Sequence, residues 1–197
     1  MAKLKNVIKQ TDNKYLNLYQ AEFEHEKGTF FYFIASRKKR IEDLAVVTQK
    51  INPDAVRILP YYYDEHNQLT VVIIKEFRYP INDFIYSVPA GLIDEGESPE
   101  QACVRELHEE IGAMVKSFTL AEKASYSLAG LTDESLVTFE AEIENFGKEN
   151  QKLDSHENIE ILSIKLTELK EFLDKNNIGL LSLFQLRAFY YKNIKVL

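Results

Sequence analysis

The sequence predicts a mixed α+β fold, and three observations carry that expectation. Strand-like segments outnumber helical ones, one capped helix interrupts them near the middle, and two helical patterns close the chain in succession. Regular strand–helix alternation, which a doubly wound parallel sheet requires, is missing. The length of 197 residues suits one ordinary domain with an appended element. With 45% hydrophobic and 12% aromatic residues, wholesale disorder is excluded. No internal repeat, low-complexity tract or interdomain linker stands out.

Each element has a local reason. Residues 15–24 alternate, with Leu16, Leu18, Gln20 and Glu22 on one face. Glu26-Lys27-Gly28 reads as a turn, and residues 29–35 are a β-rich aromatic run. The first 40 residues are therefore expected to be a strand pair. Arg37-Lys38-Lys39-Arg40 is expected to be a solvated turn. Residues 55–63 and 68–77 flank the polar turn Asp64-Glu65-His66-Asn67 and predict a hairpin. Within it, Val71-Val72-Ile73-Ile74 has the continuous hydrophobicity of a buried strand. Residues 84–88 form a short strand stopped by Pro89, and a Gly-containing acidic loop follows. Ser98 with Gln101 makes a capping box, Pro99 sits at the first helical position, and Gly112 suits a left-handed cap. A helix over 99–111 follows. Further strands are expected at 118–126, 136–143 and 159–166, an amphipathic helix at 167–175, and a last helix at 180–191.

Charge narrows the function. With 31 acids against 24 bases the formal net charge is −7, so a nucleic-acid partner is not expected. The single cysteine, Cys103, excludes an internal disulfide framework and a Cys-rich zinc site. No apolar run approaches the roughly 20 residues of a membrane helix, and the first residues lack a secretory pattern. A cytoplasmic protein without a membrane partner is the expectation. The acidity is also concentrated: residues 94–110 hold Asp94, Glu95, Glu97, Glu100, Glu106, Glu109 and Glu110 against one base, Arg105.

At roughly 100° per residue, Glu106, Glu109 and Glu110 share one narrow sector of the middle helix. Cys103, Leu107, Ile111 and Met114 share another, the expected core stripe. Three carboxylates at i, i+3 and i+4 repel one another and weaken a helix. A hard divalent cation such as Mg²⁺ or Mn²⁺ prefers carboxylate and carbonyl oxygens and would turn that repulsion into coordination. The alternative is a solvated acidic face. His25, His66, His108 and His156 show no ligand spacing, His108 is expected to be exposed, and Cys103 reads as core.

Gly91, Glu97, Arg105, Glu106, Leu107, Glu109, Glu110 and Gly112 fall in register with the Nudix box, G-x5-E-x7-R-E-U-x-E-E-x-G-U, in which U is a bulky aliphatic. Only Ala113 departs, at a packing position. The chain therefore resembles the Nudix hydrolases. Residues 55–60, Glu76-Phe77-Arg78-Tyr79-Pro80, Val88-Pro89-Ala90-Gly91, residues 154–161 and the terminal Leu-rich helix look like the ADP-ribose pyrophosphatase branch. The resemblance covers about residues 40–195. It implies a Nudix α/β/α sandwich around a mixed sheet over 41–197, with an N-terminal antiparallel strand unit at 1–40 that builds a homodimer.

The resemblance also implies roles. Glu106 and Glu110 would be the principal metal ligands, joined by the Ala90 carbonyl. Glu109 would be a ligand or a neighbouring acid, and Glu97 would bind metal or brace the loop. Arg105 would orient the glutamates. Glu157, in Asp154-Ser155-His156-Glu157-Asn158, would be the catalytic base. Arg78 would contact the substrate diphosphate, and Glu134 would line the substrate pocket or cap a loop. Phe77, Tyr79, Tyr61, Tyr62 and Tyr63 are candidates for stacking on adenine, with strand core as the alternative. The branch typically carries Ser-Pro-Gly past its box, whereas this chain reads Ser127-Leu128-Ala129-Gly130. The implied activity is Mg²⁺-dependent hydrolysis of ADP-ribose or a related nucleoside diphosphate sugar. Alternatives are another nucleoside diphosphate derivative, such as GDP-mannose or a dinucleoside polyphosphate, or a non-catalytic ligand-sensing module. Such modules often lose box glutamates, and this chain keeps them.

Overall fold

The computed structural model describes residues 1–155 and 157–194. His156, in the loop expected to carry the base, lies outside them. Contacts divide the chain into two compact units, Met1–Asp54 with Ala124–Leu136, and Ala55–Lys123 with Val137–Leu197.

In the first unit, β1 (Lys3–Lys9), β2 (Asn17–His25) and β3 (Gly28–Ser36) form an antiparallel sheet in that order. Three strands therefore stand where the sequence predicted two. β1 has little apolar pattern because Lys3, Lys5 and Lys9 take three of its four alternate positions, as suits a mostly exposed edge. On β2 the buried set is Asn17, Tyr19 and Ala21, while Leu18 faces solvent. The Tyr19 hydroxyl donates to the Lys38 carbonyl (2.7 Å). A short helix, α1 (Ala45–Thr48), follows, and its Ala45 N–H donates to Asp133 Oδ2 at 3.0 Å. The basic run is not wholly solvated. Lys38 is shielded and pairs with the buried Asp54 carboxylate at 2.7 Å, and Arg37 pairs with Glu134, while Arg40 remains at the surface with Asp43. These partners lie far along the chain, where a local reading of charge does not reach.

The second unit is built on β4 (Ala55–Tyr63), β5 (Leu69–Arg78), β6 (Asp83–Ser87), β7 (Ala90–Leu92), β10 (Ile159–Lys165) and the greater part of β8 (Met114–Tyr126) and β9 (Ser135–Glu144), whose residues 124–126 and 135–136 fall in the first unit. The path β10-β5-β4-β9-β8 makes the sheet, with β6 on β5 and β7 on β4. Strand alternation sorts the core into two faces. Leu59, Leu69, Val71, Ile73 and Val88 pack with Leu166, Leu169 and Leu173 of α3 (Leu166–Lys175) and Leu186 and Phe189 of α4 (Leu180–Asn193). The alternate residues Val56, Ile58, Val72 and Ile74 are equally buried, and α2 (Pro99–Ile111) packs on β4 and β7. This is the expected α+β sandwich. Among the described residues, no helix is long and apolar enough to cross a membrane.

One feature of the sheet positions the site. β4 pairs with β5 only from Tyr61 to Tyr63. Lower down, Ala55, Val56 and Arg57 pair with β7, while β5 from Ile74 to Arg78 pairs with β6. The two strands thus part where β6 and β7 are inserted. β7 stands where the sequence predicts loop, since it has only three residues, two of them Ala and Gly.

Leu169 is fully buried between α3 and the sheet. Leu169→Ala is expected to cost about 2–5 kcal/mol, read as a lower urea midpoint at unchanged slope.

Candidate active site

The middle helix is built as its sequence dictates. Gln101 N–H donates to Ser98 Oγ (3.3 Å), and Ser98 N–H donates to Gln101 Oε1 (2.8 Å), closing the capping box. Gly112 takes φ = 64°, and a β-carbon there would come within 2.7 Å of the Gly147 carbonyl. The segment after β9 closes the helix end. Gly147 N–H donates to the Ile111 carbonyl (2.9 Å), Lys152 N–H to that of Glu109 (2.8 Å), and Gln151 Nε2 to that of Glu110 (2.6 Å).

The expected stripe needs one correction. Cys103, Leu107 and Ile111 are buried, but Met114 opens β8 and is exposed, and Glu106 and Glu110 are themselves buried. His108 is half-buried rather than exposed. Burial pushes the Cys103 thiol up to about 12, which leaves it an inert core residue.

Arg105 gathers the acids. Its Nε and Nη2 donate to the two oxygens of Glu97 (2.9 and 2.8 Å), and Nη1 donates to Glu106 (2.7 Å) and Glu109 (3.1 Å). Nη2 also reaches the Leu92 carbonyl at 2.8 Å. Glu97 additionally accepts from the Asp94 N–H (3.0 Å), and the Arg105 guanidinium holds its carboxyl below the usual range. With both oxygens engaged, Glu97 braces the loop.

Glu106 and Glu110 are placed differently. The Glu106 carboxylate lies against the α-carbon of Gly91, so a β-carbon there would displace the carboxylate from this position. Burial raises the Glu106 pKa, with the Arg105 ion pair opposing the rise. Glu110 is more extreme. It accepts one long hydrogen bond, from the Ala90 N–H at 3.3 Å. Burial first, and then the charges of Glu106, Glu76 and Glu157, push its pKa well above the ordinary value.

A cavity of about 190 Å³ adjoins Glu110, lined by Ala90, Arg78, Tyr79, Glu76 and Glu157 among others. Glu157 stands in a turn in which its N–H donates to the Asp154 carbonyl and its carboxylate accepts from the Asp154 N–H, both at 2.9 Å. Arg78 Nη2 donates to Glu76 Oε1 at 2.8 Å. The structure therefore brings together Arg78, Ala90, Glu110 and Glu157, with Glu106 beside them. Glu109 is paired with Arg105 and is partly exposed. Glu134 belongs to the first unit, held by Arg37 and by the Ser127 hydroxyl (3.0 Å), the arrangement of a loop brace. Tyr61 packs on Phe189 and Tyr62 on Phe146, whereas Phe77 and Tyr79 line the cavity. The sequence reading missed Glu76. Its signal was strand parity, which sets it on the same face as the buried Val72 and Ile74.

These oxygens fit a divalent cation. Glu106 and Glu110 are two buried carboxylates served by one shared guanidinium and one weak N–H, an excess of negative charge that hard cations relieve. Among the described residues, no three acidic, His or Cys side chains already form a cage, because Arg105 draws Glu97, Glu106 and Glu109 to itself.

Residues 52–184 match the NUDIX domain model. The chain belongs to the Nudix family and is a hydrolase, and hydrolases of this family generally use divalent metals. An uncharacterized Nudix hydrolase of Schizosaccharomyces pombe is 36% identical over 177 residues, 84% of this chain and 78% of that protein. The ADP-ribose pyrophosphatase of Bacillus subtilis is 32% identical over 123 residues, 59% of this chain and 66% of that protein. The crystal structure of an ADP compounds hydrolase shares the fold, with a TM-score of 0.71, 16% identity, and coverage of 98% of this chain and 95% of that one. The likeness thus runs to the ADP-ribose pyrophosphatase-like branch.

Because the Glu110 carboxyl holds its proton to higher pH when folded than when unfolded, it stabilises the metal-free protein fully below the ordinary carboxylate range. That contribution is lost as pH rises through the raised value. Glu110→Gln removes the buried charge, so in chelator at pH 8 it is expected to melt higher than the unaltered protein. The gain is about 2–4 °C per kcal/mol for a chain of this size, and it shrinks toward pH 4.

Proposed function

We propose that this chain is a Mg²⁺-dependent pyrophosphohydrolase that cleaves the diphosphate of ADP-ribose or a related nucleoside diphosphate sugar. One observation carries the reading: a single cavity has buried, under-compensated carboxylates at Glu110 and the cationic fork of Arg78. A diphosphate with a divalent cation needs both. The likeness to ADP-ribose pyrophosphatase supports the substrate class.

In this mechanism Glu106 and Glu110 would hold Mg²⁺ (or Mn²⁺), with the Ala90 carbonyl as a neutral donor and Glu109 as a further carboxylate. Bound there, the ion would neutralise the diphosphate. Glu97 acts through Arg105, keeping the loop and helix in register. Arg78 directs its always-charged guanidinium at a phosphate. A water oxygen attacks one phosphorus, the bridging P–O bond breaks, and the carboxylate of Glu157 accepts the water's proton. From ADP-ribose the products are AMP and ribose 5-phosphate.

A substrate panel with product chromatography tests the assignment. ADP-ribose is expected to turn over faster than GDP-mannose or a dinucleoside polyphosphate; equal or faster turnover of either contradicts it. Glu106→Gln and Glu157→Gln are expected to lower kcat by about 10²–10⁴-fold, and unchanged rates would remove those residues from their roles.

Residues 1–40 supply a dimer surface in the same proposal, at work in the cytoplasm. The aromatic run Phe30, Phe31, Tyr32 and Phe33 is 43–56% exposed along the edge strand β3. So much exposed aromatic area favours a second copy as its cover. Light scattering at micromolar concentration is expected to give twice the 22.9 kDa chain mass. A monomer mass contradicts the dimer.

A further inference from the structure

We propose that Glu76 is the positioning residue for Arg78, fixing its guanidinium at the cavity in the pose that meets the substrate diphosphate. The proposal rests on the reading of Arg78 given above and adds a residue to it.

Glu76 is 8% exposed, at the end of β5, where its strand position turns it inward with Val72 and Ile74. A carboxylate in that place needs partners, and it has two on the same oxygen. Ser87 Oγ, from the neighbouring strand β6, donates to Oε1, and Arg78 Nη2 donates to Oε1 at 2.8 Å. The Ser87 hydroxyl is itself buried, so it anchors the carboxylate from inside. Arg78, by contrast, is half-exposed, and Glu76 is its ion-pair partner. A free arginine at a cavity mouth samples many rotamers, and fixing it costs entropy when ligand binds. A buried carboxylate held by the sheet removes that cost beforehand. The chain of contacts runs from β6 through Ser87 to Glu76, then to the guanidinium, and all but Ser87 line the cavity that holds Glu110. The carboxylate repels a phosphate, and its hydrogen bond to the Arg78 guanidinium at 2.8 Å gives it a route to the substrate.

Steady-state kinetics with ADP-ribose and Mg²⁺ on Glu76→Ala, Glu76→Gln, Arg78→Ala and the double variant Glu76→Ala with Arg78→Ala test this. Arg78→Ala is expected to raise KM about 10-fold or more, the scale of a charged hydrogen bond. Glu76→Ala is expected to raise KM about fivefold with little change in kcat, because it disorders a binding group and leaves the reacting atoms alone. The double variant should be no worse than Arg78→Ala alone, since coupled residues are not additive. Free guanidinium at millimolar concentration should restore Arg78→Ala more than it restores the double variant. Multiplying effects, or a fall in kcat for Glu76→Ala at unchanged KM, overturn the positioning role while leaving Arg78 intact. An unchanged KM for Arg78→Ala overturns the phosphate role of Arg78 and this proposal with it. Glu76→Gln keeps the side-chain shape and an oxygen acceptor, so it is expected to fold as the unaltered protein does and to show a smaller KM rise. A KM identical to the unaltered protein in both Glu76 variants also overturns the proposal.

Discussion

The site depends on one guanidinium shared among too many carboxylates. Arg105 serves Glu97, Glu106 and Glu109 together, and Glu110 lies beyond its reach against the Ala90 N–H. Alone, the acidic sector of α2 would repel itself and weaken the helix. With Arg105 in place, the acids are held within a small volume while their total charge stays unbalanced. In the proposed mechanism a divalent ion would answer that residue of negative charge, with Arg105 setting where the acids lie.

The surrounding fold holds those groups close together. Parting of β4 from β5 lets β7 bring Gly91 and Ala90 up to α2, and the missing β-carbon of Gly91 leaves the Glu106 carboxylate in the place it takes. The segment 147–152 ties off the carbonyls of Glu109, Glu110 and Ile111, and the chain then continues toward Glu157. Burial has a cost, since the Glu110 carboxyl is driven toward its neutral form. The protein thus carries a perturbed carboxyl at the place where a bound cation would relieve it, a common arrangement at functional sites.

What was legible in the sequence was whatever has a short-range cause. The capped helix over Pro99–Ile111 follows from Ser98, Pro99, Gln101 and Gly112 alone, and it stands as expected. The α+β class and the hairpin around residues 64–67 were readable for the same reason. Long-range causes were not readable. The pairing of Arg37 with Glu134 and of Lys38 with Asp54 is made by tertiary contact, so a basic run looked like solvated turn. β1 and β7 are too polar or too short to announce themselves. Glu76 was visible as a charge ending an apolar strand, but its partner Ser87 comes from another strand, and no periodicity pairs the two.

Anomalous diffraction from a crystal soaked with Mn²⁺ and a nonhydrolysable ADP-ribose analogue tests the central claim most directly. The account predicts a metal peak bounded by the carboxylates of Glu106 and Glu110 and the Ala90 carbonyl, with a phosphate of the analogue beside it and near Arg78. A peak elsewhere, or analogue phosphates seated with no metal among these oxygens, would contradict it.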